Sequence, residues 1–209
     1  MGLAQTFAHM PKQYLINTFN SYWGTDIVDT IEVNEWLDLI RQSDYSSTIQ
    51  LAREGKLGYK SIKSSVPATT FNFRFNSTKN NEDIKVSTGL LYIDVDDSDL
   101  NISNLDKSKV FACYKSFGGK GLGIIVQVEN MDLYNFKSFY ESIINDLGLN
   151  NYYDKCAAKA TQPNALSYDP NLYYNSNSFI YSLSNLNIKN TPPSHVIKKE
   201  NKAYTVDGG

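Results

Sequence analysis

The stretch Leu90–Leu100, LLYIDVDDSDL, constrains the fold of this chain more than any other. It begins as a strand-length run of apolar residues, which is typical of a strand buried on both faces. It then carries four carboxylates in six positions, at Asp94, Asp96, Asp97 and Asp99. Like charges this close repel one another unless a cation lies among them. The stretch therefore predicts a central buried strand that ends either in a solvated turn or in a metal site.

Asp94 and Asp96 are the carboxylates best placed to act together. Side chains alternate along a strand, so both carboxylates point to one face while Val95 points to the other. Two carboxylates at the end of a buried strand offer the hard oxygen ligands that Mg²⁺ and Mn²⁺ prefer. Asp97 and Asp99 fall in the following turn, where aspartate is common.

Periodicity along the rest of the chain predicts an α/β fold of the α+β type with a mostly antiparallel sheet. Two short amphipathic helices are predicted in residues 33–55, with Gly55 ending the second, and a longer helix in residues 132–149 that ends at Gly148. The predicted strands are an alternating Phe71–Phe75 segment, residues 87–96, 109–117 and 121–130, and two short strands within 163–186.

Length and composition bound the class of protein. A chain of 209 residues, 41% of them hydrophobic, suits one good-sized domain or two small units that share a core. The sequence has no secretory signal at its start and no window of the about 18 apolar residues that a membrane helix needs, so we expect a soluble, cytoplasmic protein. Residues 189–209 contain a Pro-Pro break and a Gly-Gly end and are predicted to be a linker or tail.

A basic stripe precedes the predicted strands. The net charge of −2 excludes a protein coated in positive charge, but a local basic face is enough for nucleic acid. Four cations surround Tyr59 in this segment: Arg53, Lys56, Lys60 and Lys63. They predict either a surface that follows phosphates or a solvated helix end with a polar loop.

The glycine-rich segment KSFGGKGLG, residues 115–123, joins two predicted strands. It lacks the Ser or Thr that follows the lysine of a Walker loop, and its glycines precede a strand rather than open a helix. One interpretation is a flexible hairpin turn. The other is a phosphate-binding loop, in which backbone N–H groups near Ser116 approach a triphosphate and Lys120 adds charge.

A third polar segment follows the predicted helix. Asp154 comes directly after it, with Lys155 and Lys159 close behind. A carboxylate followed by lysines suits a metal-bound polyphosphate, and an aspartate paired with a neighbouring lysine in a loop is the alternative.

Together and in this order, four segments resemble the VirE N-terminal or BT4734-like domain of phage and Bacteroidetes primase-helicase proteins. They are residues 53–71, 87–97, 116–128 and 152–175, and the resemblance runs from about residue 33 to 175. That domain belongs to the archaeo-eukaryotic primase superfamily, the primase-polymerases. The resemblance implies a primase-type catalytic domain over residues 1–188, made of an N-terminal unit to about residue 86 and a second unit related to the RNA-recognition fold.

The resemblance also implies roles for individual residues. Asp94, Asp96 and Asp154 match the catalytic carboxylates that hold two metal ions, Mg²⁺ or Mn²⁺. The nucleotide-binding segment corresponds to Ser116, Gly118, Gly119, Lys120 and Gly121, with Lys159 as an added cation. A single-stranded DNA template is expected to meet Arg53, Lys56, Lys60, Lys63 or Arg74.

The implied activity is primer synthesis from nucleoside triphosphates, a metal-dependent nucleotidyl transfer. A helicase domain or protein is the implied partner, and a bacterial or phage-infected cell is the implied setting. The sequence departs from the family at Gly123, where the superfamily often has His and this branch often Lys, and near Gln162, where the third motif usually continues to an Arg. The alternatives are therefore a non-catalytic nucleic-acid-binding module of the same fold and a metal-dependent nuclease.

Overall fold

The computed structural model describes residues 12–96 and 100–186, so Asp97, Asp99 and the predicted tail at 189–209 lie outside the described residues. Within them the chain is a mixed α+β protein with mostly antiparallel sheets, as predicted. The α-helices there are α1 (Val33–Arg41), α2 (Ser46–Arg53), α3 (Tyr59–Ser65) and α4 (Phe136–Asp146). The strands are β1 (Leu15–Phe19), β2 (Asp29–Glu32), β3 (Ala68–Thr70), β4 (Phe73–Phe75), β5 (Ile84–Ser87), β6 (Leu90–Val95), β7 (Ala112–Lys115), β8 (Leu122–Val128), β9 (Asn164–Ala165), β10 (Tyr173–Tyr174) and β11 (Ile180–Tyr181).

The helix ends follow the predicted chemistry. Gly55 follows α2 with a φ of +72°, a conformation that favours glycine. The Gly55 N–H donates to the Ala52 carbonyl, and the Lys56 N–H donates to the Leu51 carbonyl. This paired arrangement is the Schellman ending of a helix. Gly148 ends α4 in the same conformation, with a φ of +69°, so both predicted stops are confirmed.

The larger sheet is built around β8. Strands β6 and β7 lie antiparallel on its two sides, β10 lies beyond β7, and β11 runs parallel to the end of β8. The prediction that β6 is central in the sheet is therefore wrong, since β8 holds that place. The strand is nevertheless buried on both faces along most of its length, because layers pack on either side of it.

Each face of this sheet belongs to a different apolar cluster. Leu91, Ile93 and Val95 pack with the buried side of α4. Leu90 and Tyr92, which point the other way along β6, pack with α1 and the N-terminal part of the chain. The sheet is therefore covered by two layers, and the end of β6 is placed where the N-terminal layer meets it.

A second sheet has four strands in the order β2-β1-β3-β9 and is antiparallel throughout, and β4 and β5 form a separate two-stranded sheet. Its last strand, β9, comes from the far side of the predicted boundary at residues 86 and 87, and pairs Asn164 with Thr69. The four-stranded sheet therefore takes strands from both predicted units. This pairing brings residues 162–165 beside the N-terminal layer.

The alternating phenylalanines do not form the single strand that was predicted. β3 ends at Thr70 and β4 begins at Phe73, and the two belong to different sheets. Asn72, buried between them, accepts a hydrogen bond from the Tyr92 N–H at 2.8 Å and donates one to the Lys159 carbonyl at 3.0 Å. At this bend the hydrogen bonds of the Asn72 side chain replace those of a continuous strand. Phe71 and Phe73 consequently pack in different apolar clusters.

The first two strands were not predicted. β1 and β2 form a hairpin in which Asn17 pairs with Thr30. Residues 20–28 connect them and carry Tyr22 and Trp23.

In the described part of the chain, no helix has both the length and the apolar character needed to cross a membrane.

Candidate active site

A narrow cleft opens where the end of β6 meets the N-terminal layer. We call it the carboxylate cleft. The larger sheet and its β7–β8 loop contribute Tyr92, Asp94, Asp96, Tyr114, Ser116 and Gly118. The opposite wall contains Tyr22, Tyr59, Lys63 and Gln162. The two predicted carboxylates of β6 thus share a cleft with two of the predicted nucleotide-binding residues.

Asp94 is the more enclosed of the two carboxylates. It lies on the same face of β6 as Tyr92, whose hydroxyl donates to Asp94 Oδ1 at 3.2 Å. Burial raises the pKa of Asp94 to about 6, and the Asp96 carboxylate adds to the rise, whereas the Tyr92 hydroxyl and Lys63 oppose it. A buried carboxylate beside a second one is a site that a bound cation would relieve of repulsion.

Asp154 approaches this site through its backbone. Its N–H donates to the Asp94 carbonyl at 2.8 Å, and the preceding Tyr153 forms a bridge with Val95. The Asp154 carboxylate, however, accepts from the Cys156 N–H at 2.7 Å and so caps a short 3₁₀ turn. Asp154 is near enough to raise the pKa of Asp94, but it is not among the residues that line the cleft.

The described side chains do not assemble a three-ligand metal centre. In residues 12–96 and 100–186, no group of three or more His, Cys, Asp or Glu side chains is arranged to hold a metal ion. Asp94 and Asp96 lie in one cleft, whereas the Asp154 carboxylate accepts a hydrogen bond from the Cys156 N–H at the start of the 3₁₀ turn. The oxygen chemistry of the pair still suits Mg²⁺ or Mn²⁺, and metal binding stays a prediction.

The glycine-rich loop is a compact turn closed on itself. The Ser116 N–H donates to the Gly121 carbonyl, and the Gly119 N–H donates to the Ser116 carbonyl, both at 2.9 Å. A Cβ at position 121 would lie 1.9 Å from the Val95 carbonyl oxygen, so only glycine permits this contact with the end of β6. The loop is thereby held against the carboxylate-bearing strand.

The lysines predicted for nucleotide binding occupy different places. Lys120 lies beside the carboxylate cleft, in a hollow that it shares with Asp96, Ser116 and Gly118. Gly119 lines a further hollow with Lys120. Lys159 is exposed and does not line the carboxylate cleft. The structure therefore groups Lys120 with the loop and the carboxylates and separates Lys159 from them.

Arg53, which was predicted to contact template phosphates, joins several segments of the protein. Its guanidinium donates to the carbonyls of Ser116, Phe117 and Tyr168 and to Ser167 Oγ, at 2.8 to 3.0 Å. These four hydrogen bonds join α2 to the glycine-rich loop and to the segment that precedes β10. Four of the five guanidinium N–H groups are therefore used within the protein, and contact of Arg53 with template phosphates stays a prediction.

The other predicted template contacts are dispersed. Lys56 forms a surface ion pair with Glu54 at 2.7 Å. Lys60 is exposed on α3, while Lys63, one turn later, lines the carboxylate cleft. Arg74 lies on β4, away from the residues that line the cleft. The predicted stripe therefore divides, and Lys63 is the member placed at the carboxylates.

Gly123 and Gln162, the two departures from the family, both lie at this site. Gly123 is opposite Asp94 in the β6–β8 pairing. A Cβ at this position would lie 2.9 Å from the rings of Tyr92 and Tyr114, so two tyrosines fill the space that a longer side chain would need. Gln162 is buried at the cleft wall, against Tyr22.

The tyrosines of the cleft were not predicted as site residues. Burial is the main cause that raises the pKa of Tyr22 and of Tyr59, and the nearby carboxylates add to both rises. Their hydroxyls therefore stay protonated and able to donate hydrogen bonds. Tyr92 was detectable in the sequence, since it lies two residues before Asp94 on one strand face. Tyr22 was not, because it reaches the cleft from an unpredicted hairpin.

The comparisons with known proteins agree with the resemblance in the sequence. The sequence model of a protein family described as BT4734-like, N-terminal domain, matches residues 61–174, which is just over half of the 209-residue chain. The match includes the carboxylate strand, the glycine-rich loop and β9. No curated protein and no solved structure matches the chain.

Proposed function

The chain belongs to the BT4734-like N-terminal domain family, and from this membership and the carboxylate cleft we propose that it is the catalytic domain of a DNA primase-polymerase. In this proposal it joins nucleotides on a single-stranded DNA template. The observation that carries the proposal is the meeting of Asp94 and Asp96 with Ser116 and Gly118 in one cleft.

Asp94 and Asp96 are the residues that would hold a divalent cation. Mg²⁺ or Mn²⁺ bound there would supply Lewis-acid stabilisation of the phosphate under transfer. The protein's own contribution is to fix the two carboxylates at one strand end and to enclose Asp94 partly, while Asp96 stays exposed. Tyr92 orients Asp94 through its hydroxyl, and Asp154 anchors the end of β6 through its N–H group.

The charges around the cleft suit a nucleoside triphosphate. Lys63 lies on the wall opposite the carboxylates, and Lys120 lies in the hollow that adjoins Asp96. Cations on two sides of a metal-binding pair suit a metal-bound polyphosphate, which carries negative charge of its own. We assign phosphate contacts to these lysines in place of Arg53 and Lys159.

A non-catalytic nucleic-acid-binding module is the second candidate, and one observation favours it. Position 123, where the family that the sequence resembles often has His or Lys, is glycine, and the rings of Tyr92 and Tyr114 close the space beside it. A module that only binds single-stranded DNA has no need of that side chain or of the two carboxylates.

The test is primer synthesis on a single-stranded template with labelled nucleotides and Mn²⁺ or Mg²⁺. We expect the wild-type protein to make products and the Asp94→Ala/Asp96→Ala variant to make none. The matched control is Glu141→Gln, an exposed acid on α4, which should leave synthesis unchanged.

Binding of a labelled template by the same proteins separates the two candidates. If the carboxylates are catalytic, the double variant should keep its affinity for the template while synthesis is lost. A folded wild-type protein that binds the template and makes no product in either metal would contradict the polymerase proposal and support the binding module.

A further inference from the structure

The β1–β2 connection places an exposed indole beside the carboxylate cleft. Trp23 is 72% exposed, which is unusual for so large an apolar side chain. Its ring lies edge-to-face against Tyr22, with the ring centroids 4.8 Å apart, and Tyr22 lines the cleft. One side chain therefore separates the indole from the cleft.

The indole is held in place although it is exposed. Trp23 Nε1 donates to Ser64 Oγ at 3.1 Å, and the Ser64 hydroxyl donates to the Lys60 carbonyl. Lys79 Nζ donates to the Tyr22 carbonyl at 3.1 Å, so the backbone of the connection is tied down as well. A fixed aromatic face loses little conformational freedom when a flat ligand stacks on it.

The surroundings of the indole are basic. Lys63 Nζ lies 4.9 Å from the centre of the Tyr22 ring, and Lys60 is exposed on the same helix. Lys79 Nζ, which donates to the Tyr22 carbonyl, lies 4.7 Å from the centre of the Phe19 ring. An aromatic platform with cations at its edges is the combination by which proteins bind single-stranded nucleic acid, since bases stack and phosphates meet the charges.

From this arrangement we infer that Trp23 is a stacking platform for a base of the DNA strand that enters the carboxylate cleft. The inference rests on the proposed function for the identity of the ligand. It adds a binding residue from residues 20–28, which lie outside the segment that the family model matches. Trp23 orients the strand, and the exposed Lys60 contacts its phosphates.

The chain provides its own probe for this inference. It has two tryptophans, and Trp36 is buried at 1% exposure, so quenching by a ligand reports on Trp23. We expect titration with a thymidine oligonucleotide in EDTA to quench the fluorescence of the wild-type protein. Trp23→Ala should weaken binding of the oligonucleotide roughly tenfold, the usual effect of losing one stacked base. Trp23→Phe should retain most of the affinity.

Two controls isolate stacking from charge. An abasic oligonucleotide of the same length keeps the phosphates without the bases, and we expect it to bind wild type and Trp23→Ala equally. Tyr134→Ala removes another aromatic side chain, 92% exposed and absent from the cleft lining, and should leave binding unchanged. The emission of buried Trp36 in the Trp23→Ala variant checks that the protein is folded.

Equal affinity of wild type and Trp23→Ala for the oligonucleotide would overturn the inference. So would weaker binding of the abasic strand by Trp23→Ala than by wild type. Full quenching of the wild-type fluorescence by thymidine triphosphate alone would overturn it as well. None of these measurements depends on synthesis. If wild type makes no product but Trp23 is quenched by DNA, the proposed function fails and the stacking site stands.

Discussion

The two faces of β6 differ in what they do for the molecule. On one face Leu91, Ile93 and Val95 are fully buried against the core that contains α4. On the other face the strand begins with Leu90, continues with Tyr92 and ends with Asp94 at the carboxylate cleft. The same six-residue strand thus carries a purely apolar face and a face that changes from apolar to charged.

The comparison shows where this protein gives up stability. Burial of apolar side chains on the α4 face stabilises the fold. The opposite face holds Asp94 partly buried beside Asp96, and the raised pKa of Asp94 records the cost of keeping that charge there. A group held at such a cost is a frequent sign of a functional site. Substitutions on the two faces should therefore affect stability in opposite directions.

Truncation on the apolar face should have the largest effect. Ile93 is fully buried, so we expect Ile93→Ala to lower the free energy of unfolding by about 2–5 kcal/mol, through lost burial and the cavity left behind. Chemical denaturation measures the change. Val86→Ala on the exposed side of β5 is the control and should change stability by less than about 0.5 kcal/mol. An equally small effect of Ile93→Ala would contradict the assignment of this face to the core.

Neutralising the charged face should do the reverse. The folded pKa of Asp94, about 6, lies above its ordinary value of 3.8, so folding favours the protonated form. The contribution of Asp94 to the free energy of unfolding is therefore fully present below about pH 4, and it is lost as the pH rises through about 6. In EDTA at pH 8, Asp94→Asn should therefore be more stable than wild type, by up to about 3 kcal/mol. The difference between the two proteins should vanish near pH 4, and a difference independent of pH would argue against a buried charge.

The support of the cleft can be weakened without touching its carboxylates. Arg53→Lys keeps the charge but loses the planar donors that bind three carbonyls. We expect the free energy of unfolding to fall by about 1–3 kcal/mol, and synthesis to fall with it because the glycine-rich loop is released. Lys56→Ala, which removes a surface ion pair, should cost at most about 1 kcal/mol. If the two variants behave alike, Arg53 does not hold the loop.

The last prediction concerns how fast the two thiols, Cys113 and Cys156, react with a labelling reagent. Cys113 points from β7 into the cluster of the apolar face, and burial raises its pKa to about 12, whereas Cys156 is exposed. A thiol reagent should therefore label Cys156 rapidly and Cys113 only after denaturation. Rapid labelling of both thiols in the native protein would mean that β7 is not packed as described.

Much of the fold could be predicted because its elements are recorded in local patterns. The helices around Trp36 and Phe139 show apolar spacing of 3.6 residues, and the strand at Leu90 is a continuous apolar run. The strands β1 and β2 are short and leave no such signal, and β3, which pairs with the other side of β1, is remote in sequence. The break between Phe71 and Phe73 was also hidden, because it is made by the side chain of Asn72.

The site was predictable to the extent that it lies on one strand. Asp94 lies on β6 and Asp96 directly follows the last residue of that strand, so alternation alone placed them together. The basic stripe was interpreted as one surface, but its residues lie on two helices, separated at Gly55. Arg53 on α2 donates to the Ser116 carbonyl, whereas Lys63 on α3 lines the cleft. Tyr22 joins the cleft through tertiary packing, which no local pattern records.

The most direct test of the central claim uses a single variant with two measurements. Asp94→Asn should give a protein at least as stable as wild type in EDTA, and the same protein should make no product on a single-stranded template with Mn²⁺ or Mg²⁺. That result would mean that the chain keeps a destabilising carboxylate for its chemistry. Synthesis at the wild-type level by the folded variant would contradict the claim that this face of β6 is catalytic.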